Sequence, residues 1–191
     1  MDKRDEPLSA SEIDALARRI ERPIVLVGMM GVGKTSVGKR LAAALRRPFV
    51  DADEEIELAA RMTIPEIFEA FGEGHFRDGE RRVIARLIEE DGACKVIATG
   101  GGAFCNAQTR ALILDRTIAV WLDSDIETLV ERTSRKDNRP LLHGGDRRET
   151  LTRLREERRD AYAQAAIHVM SNDGPHGRTI DLVLKGIAQW L

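Results

Sequence analysis

The chain reads as an α/β protein, one domain built on a five-stranded parallel sheet with helices on both faces. Three features carry this. Short apolar runs alternate with longer helix-patterned segments, the runs are apolar at every position but His168, and 191 residues suffice for one core of that kind. The strand candidates are Ile24–Val27, Phe49–Val50, Val96–Ala98, Ile118–Leu122 and Ile167–Met170. Between them, helical periodicity covers 34–46, 54–61, 64–71, 76–90, 107–114, 125–135, 147–163 and 178–190. Right-handed crossovers would bring every strand's C-terminal end to one edge, where such sheets bind ligands. Ahead of the first strand, Ser9 and Glu12 form a capping-box pattern before Ile13, Leu16, Ala17 and Ile20, which predicts an amphipathic helix over 10–21. Residues 1–22 are therefore expected to be an N-terminal extension, with the domain proper over 23–191.

Charge is nearly balanced, with 30 basic and 32 acidic residues and a net charge of −2, so no nucleic-acid partner is expected. Cys94 and Cys105 offer neither metal-ligand spacing nor a disulfide framework, and the four histidines are scattered. Residues 1–6 are charged and lack the apolar centre of a signal peptide, and no run is apolar enough to span a membrane. The expectation is a cytoplasmic protein with no membrane partner, acting as a monomer.

Directly after the first strand candidate stands Gly28-Met29-Met30-Gly31-Val32-Gly33-Lys34-Thr35, a complete G-x-x-x-x-G-K-[ST] phosphate loop, followed by helix-patterned Ser36–Ala42. Glycines let successive N–H groups turn inward around a phosphate, and the helix N-terminus adds partial positive charge. Gly31, Val32, Gly33, Lys34, Thr35 and Ser36 are thus the candidate ATP contacts; Lys34 would reach the β- and γ-phosphates and the Thr35 hydroxyl a Mg²⁺ ion. The bland alternative is a glycine-rich turn.

Asp51-Ala52-Asp53 leaves the second strand candidate. Residues i and i+2 at a strand end point the same way, so both carboxylates could face the phosphate loop, one towards the metal's water shell and one towards an acceptor alcohol. An N-cap for the next helix is the competing role, and the two are compatible. Gly100-Gly101-Gly102 ends the third strand candidate, where a sharp turn or a close ligand approach is needed. The segment 136–146 is polar and glycine-rich, as a mobile lid would be.

These motifs occur in an order that closely resembles shikimate kinase. The match comprises the phosphate loop, Asp51-Ala52-Asp53 with Glu54-Glu55-Ile56-Glu57, Ile67-Phe68 with Gly72-Glu73, and Phe76-Arg77-x-x-Glu80. It continues through Thr99-Gly100-Gly101-Gly102-Ala103, Arg139-Pro140-Leu141-Leu142 and Arg158-x-x-x-Tyr162. The resemblance runs from about Pro23 to the C-terminus and implies a P-loop kinase fold. It also implies transfer of phosphate from ATP to the 3-hydroxyl of shikimate, with Mg²⁺, in chorismate biosynthesis.

By motif position, Asp53 would hold the acceptor hydroxyls and could take the 3-OH proton, while Asp51 would lie nearer the Mg²⁺ water shell. Arg77 and Arg158 would grip the substrate carboxylate, for which the planar guanidinium fork is suited, although Arg155 and Arg159 compete for the second place on charge alone. An amide of the triple glycine, from Gly101, would bind the same substrate. Arg139 would close onto the phosphates like an arginine finger supplied in cis, joining Lys34 and Asp53 as catalytic residues. Arg132 would lie near the adenine or stay on its helix surface, and the adenine-side loop 171–176 matches poorly. Phe49, Phe68 and Phe76 could wall the acceptor site or simply pack in the core. Rival functions are a related kinase for gluconate or a nucleoside monophosphate, and a nucleotide-binding regulator without turnover.

Overall fold

A computed structural model describes residues 6–90, 94–134, 146–171 and 176–191. Five strands form one parallel sheet: β1 (Ile24–Val27), β2 (Phe49–Asp51), β3 (Val96–Ala98), β4 (Ile118–Asp123) and β5 (Ile167–Met170), in the order β2-β3-β1-β4-β5. β1 lies at the centre, with Val25 in register with Ile97 on one side and Ala119 on the other. Every residue of β1, β3 and β4 is buried, which is why these strands read as unbroken apolar runs. The edge strand β5 alternates buried and exposed positions.

The helices are α1 (Ala10–Arg19), α2 (Lys34–Leu45), α3 (Ala52–Ala60), α4 (Ile64–Glu89), α5 (Ala107–Arg116), α6 (Ile126–Ser134), α7 (Arg147–Tyr162) and α8 (His176–Trp190). Three local features bear on the site. α3 begins at Ala52 rather than 54, because the Asp51 side chain caps it by accepting from the Asp53 N–H at 3.1 Å. As expected, α4 is two helical stretches, and they meet at a kink at Gly72, whose φ of 78° and ψ of 172° break the ladder. A single 3₁₀ turn, Ala103–Cys105, follows the triple glycine.

α1 has the capping box read from its sequence and packs Leu16 into the main core, next to Ile20 just beyond its end. Arg47 reaches back to the Ala17 carbonyl, Arg46 pairs with Asp14 at 3.4 Å, and just ahead of the helix the Leu8 N–H bonds to Asp181 of α8, so this segment is stitched to the domain. Phe49 is not a wall of any ligand site: its ring lies against Gly38 in α2, where a Cβ could not fit. No helix among the described residues is long and apolar enough to cross a membrane.

Candidate active site

A cavity of about 750 Å³ opens on the C-terminal edge of the sheet. The phosphate loop forms one wall. Gly28, Gly31 and Gly33 all have positive φ, and at Gly28 a Cβ would also run into the Leu122 carbonyl of β4, so the loop can leave the centre of the sheet this sharply only with glycine there. Gly33 hands the chain to α2, whose first residue is Lys34. The Lys34 ammonium, nearly buried, donates to the carbonyls of Gly28 at 2.8 Å and Met29 at 3.0 Å, which holds it inside the loop's curve. Gly31, Gly33, Lys34, Thr35 and Ser36 line the cavity. Val32 does not: its side chain is buried and its N–H donates to the Met29 carbonyl at 3.3 Å. Arg132 of α6 lies on the loop itself, with Nη1 donating to the Val32 carbonyl at 3.3 Å.

The second wall is Asp51 with Asp53. Thr35 Oγ1 donates to Asp51 Oδ2 at 2.8 Å, tying the loop to the strand β2 end. The expectation that both carboxylates leave a strand in parallel is corrected. Asp51 is the last residue of β2 and the cap of α3, whereas Asp53 sits in that helix's first turn. Both still reach the cavity.

The triple glycine forms the floor. A Cβ on Gly100 would lie 2.8 Å from both Asp53 Oδ1 and Glu80 Oε1, and one on Gly102 would lie 2.6 Å from the Arg77 guanidinium. A Cβ on Gly101 would approach the Met30 N–H nitrogen to 3.0 Å, so the phosphate loop and the glycine turn touch through backbone. Glycine here is a matter of space, since each missing side chain lets a functional group close in. Arg77 comes from α4 just past the bend; its Nη1 donates to Glu80 Oε2 at 2.8 Å and its Nη2 to Glu73 at 3.0 Å. Arg158 of α7 donates from Nη1 to the Gly101 carbonyl at 3.0 Å. Arg155, one turn earlier, is committed to Asp123 at 3.2 Å, so the geometry separates the two arginines that charge alone did not. Ile64, Pro65, Phe68 and Phe76 complete an apolar side, with the Phe68 and Phe76 rings 4.7 Å apart.

Two buried oxygens, Asp53 Oδ1 and Glu80 Oε1, have no hydrogen-bond partner among the described residues. Burial, with Asp51 and Glu80 adding negative charge, pushes the Asp53 carboxyl from its ordinary 3.8 up to about 6, and Lys34 offsets only part of this. Burial likewise raises Glu80, against the pull of Arg77, whose own charge its carboxylate partners keep in place. Glu80 acquired no role from sequence, because a helical Glu three residues from an Arg is more often a solvated pair than a buried one. Tyr162 served only as a spacing marker. Arg139 and the lid segment 136–145 lie outside the described residues, as do 172–175 of the adenine-side loop.

A phosphate loop at the switch point of a five-stranded parallel sheet, facing a separate pocket of carboxylates and guanidiniums, defines a P-loop kinase of small molecules. The family model for shikimate kinase matches residues 30–188. A shikimate kinase of Novosphingobium aromaticivorans is 64% identical over 186 residues, spanning 96% of each chain. One from Caulobacter vibrioides is 54% identical over 176 residues, spanning 92% of this chain and 87% of that one. The solved shikimate kinase of Acinetobacter baumannii in complex with shikimate superposes with a TM-score of 0.85 at 36% identity, covering 95% of this chain and 98% of that one. The chain belongs to the shikimate kinase family.

Proposed function

We propose that this protein transfers the γ-phosphoryl group of ATP to the 3-hydroxyl of shikimate, giving shikimate 3-phosphate and ADP. The observation that carries the acceptor assignment is a pair of buried oxygens, Asp53 Oδ1 and Glu80 Oε1, without a partner among the described residues and set beside two guanidiniums at the glycine turn. Buried polar atoms nearly always have partners, and a ligand carrying neighbouring hydroxyls and a carboxylate supplies both kinds at once. Arg77 and Arg158 take the carboxylate, joined by an amide of the Gly101 turn. Asp53 takes the hydroxyls, as a binding residue first and a base second, because a loose phosphoryl-transfer transition state demands positioning and charge more than proton removal.

On the nucleotide side Gly31, Gly33, Lys34, Thr35 and Ser36 cradle the phosphates, Val32 braces the loop from the core, and Arg132 flanks the loop they form. Arg139 enters on the family resemblance alone, as the residue that would cancel charge on the transferred group. The Thr35 hydroxyl and the Asp51 carboxylate, joined at 2.8 Å, form a small hard-oxygen set. Such a set suits Mg²⁺, which keeps most of its water and binds mainly through substrate phosphates. When bound there, the ion would neutralise charge on the triphosphate. We place the enzyme in the cytoplasm, as a monomer with no nucleic-acid or membrane partner; light scattering on the purified chain checks the oligomeric part.

A coupled assay of ADP release tests the function, with shikimate, gluconate and nucleoside monophosphates offered in turn. Turnover on shikimate alone is expected. Turnover on another acceptor, or none, would favour the rival kinases or the inactive regulator. Asp53→Asn and Arg158→Ala should each lower kcat/KM for shikimate by roughly a hundredfold or more while ADP still binds by titration calorimetry. A matching loss of ADP affinity would move both residues to the nucleotide side.

A further inference from the structure

Tyr162 closes the last turn of α7 with its side chain 1% exposed, its ring packed between Phe104 at 6.4 Å and Trp121 at 5.9 Å. Its hydroxyl donates to the Gly101 carbonyl, the same oxygen that accepts from Arg158 Nη1. A carbonyl oxygen has two lone pairs, and here both are taken by α7. The peptide between Gly101 and Gly102 is planar, so fixing that oxygen on the α7 side turns the Gly102 N–H to the opposite side of the plane. Glycine peptides resist rotation least, and nothing else among the described residues bonds to this carbonyl, so its orientation rests on these two donors. Burial pushes the phenol well above its ordinary value, which keeps it a donor across the whole working pH range.

We infer that Tyr162 is a positioning residue for the acceptor: its hydroxyl locks the Gly101 peptide and, through the shared oxygen, the guanidinium of Arg158. This rests on the shikimate kinase reading above. The Tyr162 ring belongs to the core; only its oxygen acts on the site. Removing that oxygen leaves the packing of α7 in place and frees the glycine turn and Arg158 to sample orientations that do not meet a carboxylate.

Steady-state kinetics of Tyr162→Phe test this, since the ring is kept and one oxygen is lost. We expect KM for shikimate to rise about tenfold, with kcat within about twofold and KM for ATP unchanged. An unchanged KM for shikimate overturns the inference. So does an equal loss on both substrates with a lowered Tm, which is the signature of a packing defect. Should the variant not fold, the wild-type chain still decides, because Tyr162 is its one tyrosine. After 3-fluorotyrosine labelling, the single fluorine resonance should shift with shikimate and stay put with ADP; no shift with shikimate, or a shift with ADP alone, overturns the inference. Wild-type ADP release on shikimate, run alongside, separates failure of this inference from failure of the kinase reading.

Discussion

At the scale of single residues, Asp53 carries the sharpest conflict between stability and function. Its carboxyl is raised from 3.8 to about 6, so the folded chain holds a proton there that the unfolded chain has already released between those pH values. Stability contributed by this group therefore falls as pH rises through that window, and at neutral pH the ionised form costs about 3 kcal/mol. Asp53→Asn should accordingly raise the unfolding free energy at pH 7.5 by up to about 3 kcal/mol. The gain should vanish near pH 4, which urea melts at the two pH values will show. The same group sets a second outcome. Protonation removes an acceptor for the substrate hydroxyls, so kcat/KM for shikimate should drop as pH falls through about 6. A profile flat down to pH 5 would remove Asp53 from acceptor binding. Of the residue roles here, those proposed for Asp53, Arg77 and Arg158 were legible through the motif order of the family resemblance rather than through charge and spacing alone. Glu80 was not, since a helical Glu three residues from an Arg is more often a solvated pair, and only its burial at 2% exposure marks it otherwise.

At the scale of elements, α7 shows how one helix divides its charges. Arg155 and Arg158 stand three residues apart on it, yet Arg155 bonds to Asp123 at the end of β4 and Arg158 to the glycine turn. Arg155→Ala should cost about 1–2 kcal/mol of stability by stripping a partner from the nearly buried Asp123, while leaving KM for shikimate unchanged. Arg158→Ala should do the reverse, raising that KM at near-native stability; kinetics and thermal melts on the pair will tell. The bend in α4 matters as much. Read from periodicity, 64–71 and 76–90 are separate helices. The structure keeps them separate and confines the break to one residue, Gly72, and the turn of the axis there sets the Phe68 and Phe76 rings 4.7 Å apart, tilted by 40°, beside Arg77. Periodicity reports which face is apolar; it does not report the angle at a glycine. The 3₁₀ turn over Ala103–Cys105 escaped for a related reason, being too short to have a period.

At the scale of the whole molecule, the strand order puts β1 in the middle, so the phosphate loop leaves from the centre of the sheet between β3 and β4. Two neighbours then converge on it. β3 brings the glycine turn, with the Gly101 Cβ position 3.0 Å from the Met30 nitrogen, and β4 presses its Leu122 carbonyl against Gly28. Gly28→Ala should therefore cost at least about 3 kcal/mol, because φ is 136° and backbone blocks the added methyl. Near-native unfolding of that variant would contradict the close approach of loop and strand.

The sequence by itself determined the five parallel strands, the phosphate loop and the family. Each of these is written in local patterns: continuous apolar runs, a glycine-lysine string, and polar residues at strand ends. Only the tertiary structure decided that Asp53 and Glu80 meet against Gly100 with no partner among the described residues for one oxygen of each, that Phe49 belongs to the core, and that Tyr162 holds the Gly101 carbonyl. Those facts depend on burial and on contacts between residues far apart in the chain. Neither exists until the strands are in register, and no local pattern encodes the low dielectric that gives a buried carboxylate its altered affinity for a proton.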